Sequence, residues 1–95
     1  MEEFIDSLPK TDRARFRDVF DGITRYGLEC PRVQFRQLRG KLWEVKFSAA
    51  SGGYRIAYVV VERDIMVWLH AFKKSTRKTP REDLELAEKR MKELV

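Results

Sequence analysis

Trp43-Glu44-Val45-Lys46-Phe47, Tyr54-Arg55-Ile56-Ala57-Tyr58-Val59-Val60-Val61 and Ile65-Met66-Val67-Trp68-Leu69-His70-Ala71-Phe72 are three runs dense in β-branched and aromatic residues. A Ser51-Gly52-Gly53 break and a charged Glu62-Arg63-Asp64 turn separate them. Such runs, joined by short polar turns, predict an antiparallel three-strand meander. The last run empties into Lys73-Lys74.

Side chains alternate between the two faces of a strand. A hairpin loop over residues 49–52 pairs Ser48 with Gly53, Trp43 with Tyr58, Val45 with Ile56 and Phe47 with Tyr54. Apolar then meets apolar, which is what selects a register. The same register sets Lys46 directly opposite Arg55 on the other face. Two cations facing each other across a ladder cost some tenths of a kcal/mol. A phosphate-binding face has a use for that pair. If Val61 pairs with Ile65, then Met66, Trp68, His70 and Phe72 join the aromatic face, and Lys73 joins Lys46 and Arg55. A one-residue slip reverses these assignments. In this register His70 is a core histidine with one satisfied hydrogen bond, and Trp43 and Trp68 are core by parity.

Working outward, Phe4, Ile5 and Leu8 share a helical face, and Pro9 closes that segment. Thr11 is the expected N-cap of a second helix, with Asp12 in its first turn. Phe16, Val19, Phe20 and Ile23 form its apolar stripe, and it ends near Tyr26-Gly27. Arg13, Arg17, Asp21 and Arg25 form a solvated face. Gly22 weakens this helix by about 1 kcal/mol relative to Ala, so packing must support it. Cys30, in the following loop, is a packing residue. Val33 and Phe35 alternate with Gln34 and Arg36 in a possible edge strand, and Arg39-Gly40-Lys41 is a basic turn. At the other end, Thr79 can cap a last helix with Pro80 at its first position and Glu82, Asp83 and Glu85 in its first turns. Leu84, Ala87, Met91 and Leu94 are its apolar stripe, expected on the sheet. The fold expected is α+β: a small antiparallel sheet, a three-strand meander plus an edge strand, packed by N-terminal helices and a C-terminal helix in a single domain over residues 1–95.

Ninety-five residues suffice for one modest core. A net charge of +5 favours a polyanionic partner, nucleic acid most simply. With one cysteine and one histidine, neither a disulfide framework nor a metal centre is expected, and no cofactor. No apolar run approaches the ~20 residues of a membrane helix, and no signal peptide is evident, so a cytoplasmic protein without membrane association is expected. Residues 73–81 hold five basic residues and no acid. Beside a paired-cation face, such a loop points to nucleic-acid backbone contacts.

Leu42-Trp43-Glu44-Val45-Lys46-Phe47, Gly53-Tyr54-Arg55-Ile56-Ala57-Tyr58, Leu69-His70-Ala71-Phe72-Lys73-Lys74 and Lys78-Thr79-Pro80 resemble the phage-derived HigB branch of the RelE/ParE toxin superfamily. So do the Phe4-Ile5-Asp6-Ser7-Leu8-Pro9 opening and the Glu85-Leu86-Ala87-Glu88-Lys89-Arg90 ending. The resemblance spans nearly the whole chain. It implies a RelE-like fold and the toxin of a type II toxin–antitoxin pair. Such toxins are mRNA interferases that cut messages in the ribosomal A site, and their partner in this branch is usually a helix-turn-helix antitoxin. Carried over by position, the basic residues around the scissile phosphate are Lys46, Arg55 and the Lys73, Lys74 and Arg77 cluster. Many members carry a β-strand ahead of the Phe-Ile-Asp-Ser-Leu-Pro segment, and this sequence starts just before it. RelE uses a tyrosine near its C-terminus and other HigB-like toxins use histidines; no Tyr or His follows His70 here.

Cleavage by 2′-OH attack needs a base, positive charge for the transition state and a proton for the leaving oxygen. Lys46 is the expected base and Glu44 its rival. Arg55 with Lys73 or Lys74 would stabilise developing charge. Arg77 or Lys74 would orient or protonate the leaving group. Arg39, Lys41, Lys78 and Arg81 are the expected RNA-backbone contacts. Two alternatives stay open: a ParE-like toxin of DNA gyrase, and a non-catalytic module that binds RNA or an acidic antitoxin.

Overall fold

The computed structural model of the chain describes residues 2–62, 65–74 and 78–94. Arg77 therefore lies outside the described residues. The elements are α1 (Glu2–Asp6), α2 (Lys10–Tyr26), a 3-10 turn (Gly27–Glu29), β1 (Val33–Arg39), β2 (Leu42–Ala49), β3 (Gly52–Val61), β4 (Ile65–Lys73) and α3 (Arg81–Leu94). The four strands form one antiparallel sheet in the order β1-β2-β3-β4. This is the expected α+β architecture, with β1 as the edge strand, and it is compatible with a RelE-like fold.

The β2–β3 register is the expected one: Trp43 faces Tyr58, Val45 faces Ile56, Phe47 faces Tyr54 and Lys46 faces Arg55. Pairing continues to Ala49 and Gly52, so the hairpin loop is Ala50-Ser51 rather than residues 49–52. Gly52 accepts a φ of 139° there, which a side chain would resist.

Helices cover both sides of the sheet. On one side Phe16, Val19 and Ile23 of α2 pack with Val45, Phe47, Tyr54, Ile56, Tyr58 and Ala71, and Phe4, Ile5 and Leu8 close the margin. Phe16 is the hub, edge-on to Phe47 and Tyr54 at ring separations of 5.0 Å each. Trp43 and Trp68 pack on this core, as their parity predicts. Phe20, expected in the stripe, is 55% exposed and meets only its margin, edge-on to Trp68. On the other side Ala87, Leu84 and Met91 of α3 cover Leu42, Ala57, Val59 and Leu69. The second face is thus half core. The run Ala57-Tyr58-Val59 carries the signal, because a strand buried on both sides loses its alternation. Leu94 ends the α3 stripe half-exposed.

Three local expectations are corrected. The first concerns β4. Val61 does pair with Ile65, and Tyr58 with Trp68, but Ala57 then pairs with His70. Leu69 is left as the extra residue of a β-bulge. Beyond it every side chain changes face: His70 and Phe72 leave the aromatic face for the α3 side, and Lys73 joins Tyr54 on the α2 side. Arg90 of α3 donates to the Leu69 carbonyl at 2.7 Å, satisfying an acceptor the bulge removes from the ladder.

The second concerns Thr11. The helix starts at Lys10, Pro9 holds the cap position, and no side chain caps it. Asp12 is fully buried instead of serving the helix terminus. It accepts the Tyr54 hydroxyl at 2.6 Å, the Ser51 hydroxyl, and the Ser51 N–H at 3.2 Å. These bonds, Ser51's first, hold its carboxyl below the usual carboxylate range. Burial, reinforced by Asp12, pushes the Tyr54 phenol up. The third concerns Thr79. Residue Pro80 gives its carbonyl to Leu84 N–H at the start of α3, and the Thr79 side chain turns to the sheet instead.

Gly22 has a packing reason. A Cβ there would lie 2.8 Å from Cys30 Sγ, which is buried against the helix. Gly22→Ala should therefore lower the thermal midpoint despite its better helix propensity, and adding Cys30→Ala should recover part of the loss. Asp12 yields a pH prediction. Its carboxyl titrates lower in the fold than in the open chain, so its contribution is present at neutral pH and fades as acid reaches the folded value. Thermal midpoints measured from about pH 6 down to pH 3 should fall for the native chain, and fall less steeply for Asp12→Asn.

Candidate functional site

Below the part covered by α3, two cross-strand rows share the α3 face. One is Gln34, Lys46, Arg55, Phe72; the other is Arg36, Glu44, Ala57, His70. Both follow from register: β1 pairs Gln34 with Lys46 and Arg36 with Glu44.

Glu44 is the centre of the second row and is 2% exposed. Arg36 Nη2 lies 3.1 Å from its Oε1 and Arg55 Nη1 lies 3.6 Å from the same oxygen. Thr79 donates its hydroxyl to Oε2 at 2.8 Å. The Thr79 oxygen in turn accepts Arg55 Nη1 at 3.1 Å and Arg36 Nη2 at 3.3 Å. A buried carboxylate is tolerated only with such charge and hydrogen-bond compensation. Arg55 itself is 1% exposed.

These contacts revise the cation-pair expectation. Lys46 and Arg55 do face each other on one side of the sheet. Their repulsion is already offset, however, because Arg55 carries its own carboxylate. No nucleic acid is required to explain the pair. Arg55 is a buried charge in a network rather than an open phosphate contact. Lys46 is half-buried, and no ion pair holds it among the described residues. It lines a cleft of about 430 Å³ with Gln34, Phe35, Arg36 and Glu44. Arg36, 53% exposed, closes the same cleft.

The other candidates divide. Lys74 donates its N–H to Gly53 at 2.8 Å, and its side chain runs beside Gly53, which shares its face with Arg55. Lys74 therefore joins Lys46 and Arg55. Lys73 does not: its Nζ lies 3.5 Å from Ser51 Oγ and 6.0 Å from the Tyr54 ring centre, on the α2 side. The bulge at Leu69 is the reason. Arg39 pairs with Glu88 at 2.7 Å, and Lys41 lies beside Trp43 and Val61. Both sit at the β1–β2 turn, and five residues of strand place Lys41 roughly 16 Å from Lys46 along β2. Lys78 is exposed on the approach to α3. Arg81, 90% exposed, opens α3 and pairs with Glu85.

Four residues enter the site without having been singled out for it. Arg36 and Gln34 were legible as the outward face of β1. Thr79 had only its capping signal, which pointed elsewhere. Next to them His70 Nε2 lies 2.7 Å from Asp83 Oδ1 at the start of α3, and its ring stacks on Phe72 at 5.2 Å.

Among the described residues, no helix is long and apolar enough to cross a membrane. No curated protein and no solved structure matches the chain. Over residues 3–92 the sequence matches the family described as Phage derived protein Gp49-like (DUF891). That span takes in both helical ends, the whole sheet and every residue of the Glu44 network, and the chain belongs to the phage-derived Gp49-like family.

Proposed function

We propose that the chain is the toxin of a type II toxin–antitoxin pair, an endoribonuclease that cuts translated mRNA on the ribosome. The Gp49-like family is toxin-like in such systems, which supports the general role. The nuclease reading rests on one observation: Lys46 stands without a counter-ion among the described residues, beside a cleft lined by Arg36 and by Glu44, whose charge Arg55 offsets.

In this reading the RNA backbone lies across β1 and β2. Lys46 takes the proton of the attacking 2′-OH. Glu44 is set aside as base, because Arg36, Arg55 and Thr79 occupy its oxygens. It acts instead as the anchor that aims Arg36. Arg36 and Lys74 supply charge for the phosphorane-like transition state, with Arg55 behind them. Lys78 and Arg81 extend the cationic path along the approach to α3. Lys73 and the distant Arg39 and Lys41 leave the reaction centre. The residues form no strong acid/base pair for free RNA, so alignment by the ribosome carries much of the rate. The partner is a small antitoxin whose acidic groups would compete for the same cations.

Arg55's neutralisation favours one second reading, a non-catalytic face that only holds an acidic antitoxin segment. Mapping mRNA 5′ ends after induction separates these from a gyrase poison. Codon-phased cuts in translated messages support the nuclease. An SOS response without cuts supports gyrase, and neither outcome leaves the binding module.

Lys46→Ala should abolish growth arrest while changing stability by less than about 0.5 kcal/mol. Arrest that persists in this variant removes Lys46 from the reaction. Arg55→Ala should behave differently, losing about 3 kcal/mol of stability because it strips a cation from a buried carboxylate. Thr79→Val should cost about 1–3 kcal/mol, with Thr79→Ser close to the native chain, both read by chemical denaturation.

A further inference from the structure

The reaction above lacks a proton donor for the departing 5′-oxygen. The bulge at Leu69 brings one to the face. Without it, His70 would point into the α2 core; with it, His70 occupies the same cross-strand row as Arg36 and Glu44. It is the only histidine of the chain. Three further contacts fix it. Arg90 holds the bulge through the Leu69 carbonyl, and Asp83 grips Nε2 at 2.7 Å. Phe72 stacks on the ring with an interplanar angle of 18°. The imidazole is thus immobilised by a carboxylate on one nitrogen, and no described residue bonds the other nitrogen, Nδ1. Its side chain keeps 16% of its surface open. A carboxylate-oriented imidazole with a second nitrogen to offer is the usual build of a proton-transfer group.

Position agrees with the chemistry. Lys46 lies on β2 and His70 on β4, two strand spacings apart and two residues along, about 12 Å at the backbone. Arg55 lies between them on β3. A backbone running from the Lys46 cleft towards β4 would have the amine on one side of its phosphate and the imidazole on the other, as in-line displacement requires of its two proton-transfer groups, with the charge of Arg55 buried beneath.

We propose that His70, oriented by Asp83, is the general acid of the cleavage reaction. This rests on the nuclease reading of the face. The Lys46 amine accepts the 2′-OH proton as the 2′-oxygen bonds to phosphorus. The bond from phosphorus to the 5′-oxygen breaks, and the His70 Nδ1 proton passes to that oxygen. The products are a 2′,3′-cyclic phosphate and a 5′-hydroxyl. Lys46 and His70 return to their starting forms by proton exchange with water.

A structural tether between β4 and α3 would use the same two side chains, so the test must separate the roles. Programmed ribosomes are given one of two messages: an ordinary one, or one whose A-site linkage carries sulfur in place of the leaving 5′-oxygen. A thiolate departs without being protonated. His70→Gln should cut the ordinary message about 10²–10⁴-fold more slowly than the native chain. On the sulfur-linked message it should match the native chain closely. Asp83→Asn should lose less on the ordinary message and be equally rescued. Lys46→Ala should fail on both messages. Equal loss by His70→Gln on both, or no loss on either, overturns the assignment while leaving the nuclease reading standing. A native chain that cuts neither message overturns both.

Discussion

One buried carboxylate organises the functional half of this sheet. Glu44 has almost no access to water, and a charge in that position survives only if fully paired. Arg36 comes from the edge strand β1, Arg55 from β3 on the other side of Glu44's own strand, and Thr79 from the segment that leads into α3. Three parts of the chain that are far apart in sequence are thereby fixed relative to one another. What remains charged and accessible at the rim is Lys46 and the outer part of Arg36. The cationic surface is the visible edge of a network whose interior is neutral.

The second constraint is the single extra residue in β4. A strand's side-chain period is two, so one bulged residue exchanges the roles of all that follow. Here the exchange sends Lys73 to the structural side, where Ser51 and Tyr54 receive it, and brings His70, Phe72 and Lys74 to the cleft side. Arg90 makes this bulge a built feature rather than a slip, since its guanidinium meets the carbonyl that the ladder leaves over. The C-terminal helix therefore does more than cover Leu42, Ala57 and Val59. It holds the strand that brings His70 and Phe72 to the cleft side of the sheet.

Most of the architecture was legible in the sequence because it follows from alternation and turn residues. The pairing of Trp43, Val45 and Phe47 with Tyr58, Ile56 and Tyr54 left one good register, and Lys46 opposite Arg55 came with it. The bulge was not legible: Val67-Trp68-Leu69-His70 reads equally well with or without an extra residue, since Leu69 and Trp68 are both apolar. The pairing of Arg55 with Glu44 was missed for a related reason. Charged residues on one strand face were taken as a surface, whereas Glu44 pairs with Arg55 and Thr79 bonds both, turning a like-charge conflict into an ion network. Asp12 shows the same limit, as a helix-start acid that tertiary packing buries under Tyr54 and Ser51. Sequence pattern reports which residues share a face; it does not report which of them meet.

The central claim is that a phosphate backbone is cut over the cleft where Lys46 stands. The most direct measurement is reconstitution with purified protein, programmed ribosomes and an end-labelled message, reading the chemistry of the new termini. The account predicts a cut within the A-site codon that leaves a 2′,3′-cyclic phosphate and a 5′-hydroxyl, and no such cut from Lys46→Ala protein. An intact message, or identical termini from both proteins, would contradict it.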